Sequence, residues 1–185
     1  MKKVFDKSQI FVCVVVILSF VSNSFAYVGN DPVDEKGLLF RIERSRDLDE
    51  VWYSVNMDRD GRLNKKTPVK VYWVRKGEDN RIEPLTGIQR RFSYGITAFE
   101  QQNPYNDEWV LKLAAYKNRP FTLKKADQAG AYKAFTRSAG REVEILNMYI
   151  EFEGGSFLSP SVAYVELHGI DRSTGEQISE IINGT

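Results

Sequence analysis

The sequence is poor in the residues that usually carry chemistry. It has one cysteine and one histidine among 185 residues, Cys13 and His168. Cys13 lies in the apolar run over residues 10–21, which follows Lys2, Lys3 and Lys7 and precedes Ser24-Phe25-Ala26. A positive start, a short apolar run and small residues before a cut are the marks of a secretory signal peptide. Residues 1–26 are therefore expected to be removed, with Tyr27 as the new N-terminus. A twelve-residue run is also shorter than the ~20 residues that span a bilayer core, so no membrane span is expected after cleavage. No small residues precede Cys13 in the way a lipid-modified cysteine requires. The exported domain would then hold no cysteine, which excludes disulfides and thiol chemistry even in an oxidising compartment. One histidine without cysteine is a poor basis for zinc, which usually takes three or four nitrogen or sulfur ligands. Neither a metal nor a cofactor is expected.

Charge is scarce in excess as well. Lysine and arginine number 26 against 25 acidic residues. Without Lys2, Lys3, Lys7 and Asp6 the balance is 23 to 24, a net charge of −1. A near-neutral domain lacks the concentrated basic surface that phosphate backbones require, so nucleic acid is not an expected partner. The sequence also lacks G-x-S-x-G, and Gly154-Gly155-Ser156 is not followed by the Lys-Ser/Thr pair of a phosphate loop. It has no fixed-period repeat and no alternation of strands with long helices, which argues against a doubly wound fold.

What is present is strand-like. A hydrophobic content of 42% with 12% aromatics marks a folded domain. Residues 27–36 are polar and read as a linker, and a single domain is expected over 37–185. Phe40 and Ile42 alternate with Arg41 and Glu43. Val51, Tyr53, Val55 and Met57 alternate with Trp52, Ser54 and Asn56. The stretch PVKVYWVR at 68–75 is apolar on both faces toward its end, as in a strand covered on both sides. Further alternating stretches follow 97, 109, 121, 131, 142, 162 and 177. They predict an all-β domain, a single antiparallel β-barrel or β-sandwich of about eight strands. Asp58-x-Asp60-Gly61 has the opening spacing of a calcium loop but none of its later ligands, and reads as a turn.

One helix interrupts this pattern. In EPLTGIQRRFSYGI, residues 83–96, Thr86 and Gln89 have the spacing of a capping box, and Gly95 stands where a helix-ending glycine would. A short helix near residues 86–95 is predicted. Ile88 and Phe92 at i,i+4 are expected to pack on the sheet or to plug a barrel end. Gln89, Arg90, Arg91 and Tyr94 cover the remaining surface. Together with Arg41 and Arg44 they form the densest candidate binding cluster, suited to an anionic or amphipathic ligand because an arginine fork holds a carboxylate in two parallel bonds. The plainer alternative is solvated arginines, or pairs with Glu43, Glu83 or Glu100. A second candidate site is the acid–base pair Glu166 and His168, two residues apart on one strand face. It needs a third group such as Asn147, Tyr149 or Glu151 inside a cleft.

The segments LFRIERSRDLDEVWYSVNMDRDGRL (39–63), PVKVYWV (68–74) and EPLTGIQRRFSYGI (83–96) resemble domain-of-unknown-function family 4833. The resemblance implies a shared fold and a secreted setting, and carries no catalytic residue. The reading is an exported domain, periplasmic or extracellular, that binds a small ligand or an envelope protein without catalysis. A hydrolase-type enzyme at Glu166/His168 and a structural envelope protein are the alternatives.

Overall fold

The computed structural model describes residues 37–103, 105, 107–126, 130–155 and 160–183. All fall within the compact unit Asp31–Thr185. The expected signal peptide, its cleavage point, the linker at 27–36 and Ser156 lie outside the described residues. No helix among them is long and apolar enough to cross a membrane.

Eleven strands and one short helix follow in the order β1 (Leu38–Arg44), β2 (Asp47–Val55), β3 (Val69–Arg75), β4 (Arg81–Pro84), α1 (Gly87–Phe92), β5 (Ile96–Asn103), β6 (Glu108–Leu113), β7 (Phe121–Ala126), β8 (Ala131–Ser138), β9 (Arg141–Gly155), β10 (Pro160–Asp171) and β11 (Gln177–Asn183). They form one sheet, curled into a half-barrel along the nine-strand path β4-β3-β2-β1-β9-β8-β7-β6-β5. The loop between β2 and β3 is closed by the bridge Met57↔Leu63. Asp58 Oδ1 accepts the Asp60 and Arg62 amides at its tip, so the Asp-Gly spacing serves a turn.

The topology turns on β9. Glu144 pairs with Phe135 of β8 and with Ile170 of β10, so these strands lie on opposite edges. Asn147 pairs with Arg41 of β1 and with His168 of β10. Strands β8 and β1 therefore share one edge of β9 in succession, β8 antiparallel and β1 parallel. From that shared edge two wings diverge, β1-β2-β3-β4 and β8-β7-β6-β5, while β10 and β11 extend the other edge.

The core lies between the wings because alternation turns one side of each strand inward. Phe40 and Ile42 of β1, Val51 and Tyr53 of β2, and Trp73 of β3 meet Leu111 of β6, Phe121 and Leu123 of β7, Ala134 of β8, and Val143 and Ile145 of β9. Phe40 is the link. Its ring stacks on Tyr53 at 4.3 Å and on Phe121, in the opposite wing, at 5.9 Å. Burying a side chain of this size contributes about 1.5–3 kcal/mol. A smaller cluster, Trp52 and Val74 with Leu38 and Tyr72, lies on the other face of β1–β3.

The expected all-β class with one short helix is present. The count is eleven strands where about eight were expected, and the sheet is a half-barrel. Strand β4 escapes sequence reading because it has four residues, ends in Pro84 and shows no alternation. The antiparallel expectation is corrected at one place, the parallel pairing of β1 with β9. Alternation marks strands but does not name their neighbours.

The helix also departs from expectation. It ends at Phe92, with Ser93 as C-cap, and Gly95 serves close packing. A Cβ there would lie 1.8 Å from the Arg90 carbonyl oxygen. That carbonyl belongs to the backbone and has little freedom to yield. At Gly87 an added Cβ meets nothing within 4 Å. Gly95→Ala is therefore expected to destabilise the domain by about 3 kcal/mol, and Gly87→Ala to be neutral or to stabilise it by about 0.5 kcal/mol. Urea unfolding of the two variants checks the contrast.

Candidate functional site

The candidate residues on β1 are divided by the strand itself. Positions three apart on a strand point to opposite faces. Arg41 faces away from the main core. Its Nε donates to Glu43 Oε1 at 2.8 Å and lies 4.0 Å from Glu50 Oε2. Glu43 Oε1 also accepts from Asn147 Nδ2 at 3.1 Å. Arg44 takes the other side, and its guanidinium lies 4.3 Å from the centre of the Trp73 ring. Nη2 reaches both carboxylate oxygens of Asp47 at 2.5 Å, and Nη1 donates to the Tyr94 hydroxyl at 3.3 Å.

Helix α1 completes this corner. Gln89 Oε1 accepts from the Thr86 amide at 3.0 Å, and Thr86 Oγ1 accepts from the Gln89 amide at 3.3 Å, which closes the capping box. The same Gln89 oxygen accepts from Trp73 Nε1 at 3.1 Å. Tyr94 packs edge-on against Trp73 at 5.3 Å, and its backbone oxygen accepts from the Tyr53 hydroxyl at 2.6 Å. Burial and the neighbouring Tyr94 push the Tyr53 hydroxyl well above the usual phenol range. Arg44, Gln89 and Tyr94 thus converge on Trp73. Arg75 joins them at 5.0 Å from the Trp73 ring, held by Asp49 at 2.7 Å and Glu83 at 2.8 Å. The Asp49 bond is the main reason that the Arg75 guanidinium holds its proton more tightly than usual.

Arg90 and Arg91 lie outside this group, both exposed. Arg90 Nη2 donates to the Leu85 carbonyl at 3.2 Å, and Arg91 lies 5.2 Å from the Phe92 ring. Neither makes an ion pair among the described residues. Ile88 and Phe92 are 59% and 63% exposed, and no residue of α1 is buried. Their expected packing on the sheet is corrected. A helix of six residues turns only Gln89 inward, and it is anchored instead by Leu85 before it and Tyr94 after it, both buried.

Glu166 and His168 stand on the outer face of β10, with His168 Nε2 3.5 Å from Glu166 Oε1. Their side chains are 29% and 38% exposed. The same Glu166 oxygen accepts from Ser179 Oγ at 2.7 Å. Of the residues expected as a third partner, Asn147 donates to Glu43, and the Tyr149 hydroxyl donates to Glu151 Oε2 at 2.8 Å. The pair is a half-exposed couple on an open sheet. Among the described residues no three His, Cys, Asp or Glu side chains come together to hold a metal.

Two open depressions lie elsewhere. Residues Asp58 and Arg62 to Lys66 line one, and Gly140 to Glu142 with Asp171 to Ser173 line the other. In the second, Asp171 is buried and accepts from the Ser173 hydroxyl at 2.6 Å and the Ser173 amide at 2.7 Å. Arg141 Nη1 adds a bond at 3.3 Å. The Ser173 hydroxyl is the chief cause that holds the Asp171 carboxyl below its ordinary range. The carboxylate clamps the β10–β11 turn. Trp73, Asp47, Arg75 and Asp171 were missed in sequence because their partners come from distant segments.

The fold is a β-rich half-barrel domain, and residues 40–181 match the family model described as Domain of unknown function (DUF4833). The chain belongs to that family. No curated protein and no solved structure matches it significantly.

Gln89→Met would leave the buried Trp73 indole N–H without an acceptor, at a cost of about 2 kcal/mol. Thr86→Ala removes only the cap, at about 1 kcal/mol. Thermal unfolding should rank the two in that order. Asp171 has a lowered folded pKa, so its stabilisation is full above the ordinary Asp range and is lost as pH falls through the folded value. Asp171→Asn should therefore lower the urea midpoint at pH 7, and the difference from the parent chain should shrink by pH 3.

Proposed function

We propose that the domain is an exported, non-catalytic interaction module that meets an envelope protein through α1. The observation that carries this reading is the exposed i,i+4 pair Ile88 and Phe92, flanked by Arg90 and Arg91, on a helix fixed by its capping box and the Gln89–Trp73 bond. A held apolar ridge with an aromatic and arginines has the composition of an interface hot spot. Its partner would offer an apolar groove with an acidic rim, since Arg90 and Arg91 lack carboxylate partners among the described residues. The features of residues 1–26 support the exported setting. The small-ligand version draws less support, because neither the depression lined by Asp58 and Arg62 to Lys66 nor that lined by Gly140 to Glu142 with Asp171 to Ser173 includes Arg44, Gln89 or Tyr94.

Site-specific photocrosslinking in the exporting host tests the reading, with the crosslinker at Phe92 and, as control, at the exposed Lys66. A discrete crosslinked species is expected from Phe92 alone. Arg90→Glu with Arg91→Glu should reduce it at least tenfold while changing stability by no more than about 0.5 kcal/mol, as for other surface substitutions. Equal crosslinking from both positions, or none from Phe92, contradicts it. A small molecule found in native mass spectra of the purified domain would favour the ligand version instead.

A further inference from the structure

Unpaired positive charge gathers in one place. Arg59, Arg62, Lys65 and Lys66 stand in the loop between β2 and β3, and Lys70 follows in β3. All five are exposed, and none makes an ion pair among the described residues. Many cations elsewhere are held by carboxylates, such as Lys124 by Glu142, Lys133 by Glu144 and Arg119 by Glu180. Over residues 57–67 four cations stand against two carboxylates, Asp58 and Asp60. Asp58 is turned to the backbone, where its Oδ1 accepts the Asp60 and Arg62 amides. The near-neutral charge of the whole chain therefore hides a local excess.

We propose that this loop is a docking surface for a membrane with anionic phosphate headgroups, on which the domain lies without spanning it. The first support is convergence. Arg62, Lys65 and Lys66 line a single open depression with Asp58, Leu63 and Asn64. Met57, bridged to Leu63 and exposed, adds an apolar side chain beside them. Cations next to an apolar side chain suit the boundary between headgroups and acyl chains.

The second support is order in the backbone that carries the cations. The Asn64 amide donates to the Asn56 carbonyl at 2.8 Å, and Asn64 Oδ1 accepts from the amides of Lys66 at 3.0 Å and Thr67 at 3.1 Å. Asn56 Nδ2 donates to the Thr67 carbonyl at 2.8 Å. The loop thus needs little ordering when it docks. The third support is number. An open depression leaves a single small anion in water, where one charge contact is weak. A surface of headgroups meets all the cations at once, and each cation near it raises partitioning roughly fivefold. That difference favours a membrane over a free phosphate.

Vesicle co-sedimentation of the chain purified from the exporting host tests the proposal. Binding is expected to vesicles of phosphatidylcholine with phosphatidylglycerol, to weaken as salt rises, and to be absent with phosphatidylcholine alone. Lys65→Glu with Lys66→Glu should lower partitioning at least tenfold. Both side chains are exposed, and only the Lys66 amide helps to hold the loop, so the fold stays intact. Lys65→Arg with Lys66→Arg should bind within twofold of the parent chain, as should Arg90→Glu with Arg91→Glu on α1. Equal binding to both kinds of vesicle, no binding to either, or an equal loss from the α1 variant overturns the proposal. Release by inorganic phosphate beyond that by chloride at equal ionic strength would assign the loop to a free phosphate, and also overturns it. A lipid contact leaves no protein crosslink at Lys66, so failure here and failure of the Phe92 crosslink are separate results.

Discussion

Everything in this fold depends on the edge of β9 that serves two strands. Its fifteen residues reach roughly 50 Å at the usual rise per residue. Strand β10 covers the opposite edge from Val143 to Gly155. The shared edge is taken first by β8 and then, from Asn147, by β1 in the opposite sense. Two strands on one edge cannot continue as one flat layer, so the wings part and face each other. The space between them is filled by Phe40 and its stacked neighbours Tyr53 and Phe121. Gly169 fits this joint, because a Cβ there would lie 2.3 Å from the Glu144 carbonyl oxygen.

The same geometry places the Trp73 corner. Arg44 ends β1 and reaches over Trp73, and α1 hangs between β4 and β5, the far strands of the two wings. Gln89 both caps the helix and accepts the Trp73 indole N–H, so one side chain ties the helix to the sheet. The helix therefore presents Ile88 and Phe92 outward at a fixed place. On the proposed reading, an apolar ridge held in this way gains little order on binding.

Much of this was legible in the sequence. Phe40 and Ile42 against Arg41 and Glu43 announced β1, and Thr86 with Gln89 announced the helix. The grouping of Arg41 with Arg44 is corrected by the odd spacing between them, which divides two residues of a strand between its faces. What could not be read depended on distant partners. Nothing near Leu38–Arg44 announces a parallel neighbour at Asn147–Ile150. Gly95 looked like a helix terminator, and only the position of the Arg90 carbonyl shows its other use. The pair Glu166 and His168 was read correctly as sharing a face, but whether that face bounds a cleft is set by the layers around it.

The shared edge of β9 can be tested directly by backbone amide hydrogen exchange. If β9 joins both wings, its amides between Val143 and Ile150, with those of Phe40 to Ile42, should be among the slowest in the domain. Those of β4, β5 and β11, which each pair along one edge, should exchange orders of magnitude faster. Slow exchange confined to the β8 half of β9, with residues 147–150 exchanging as fast as β11, would contradict the parallel pairing and the two-wing fold built on it.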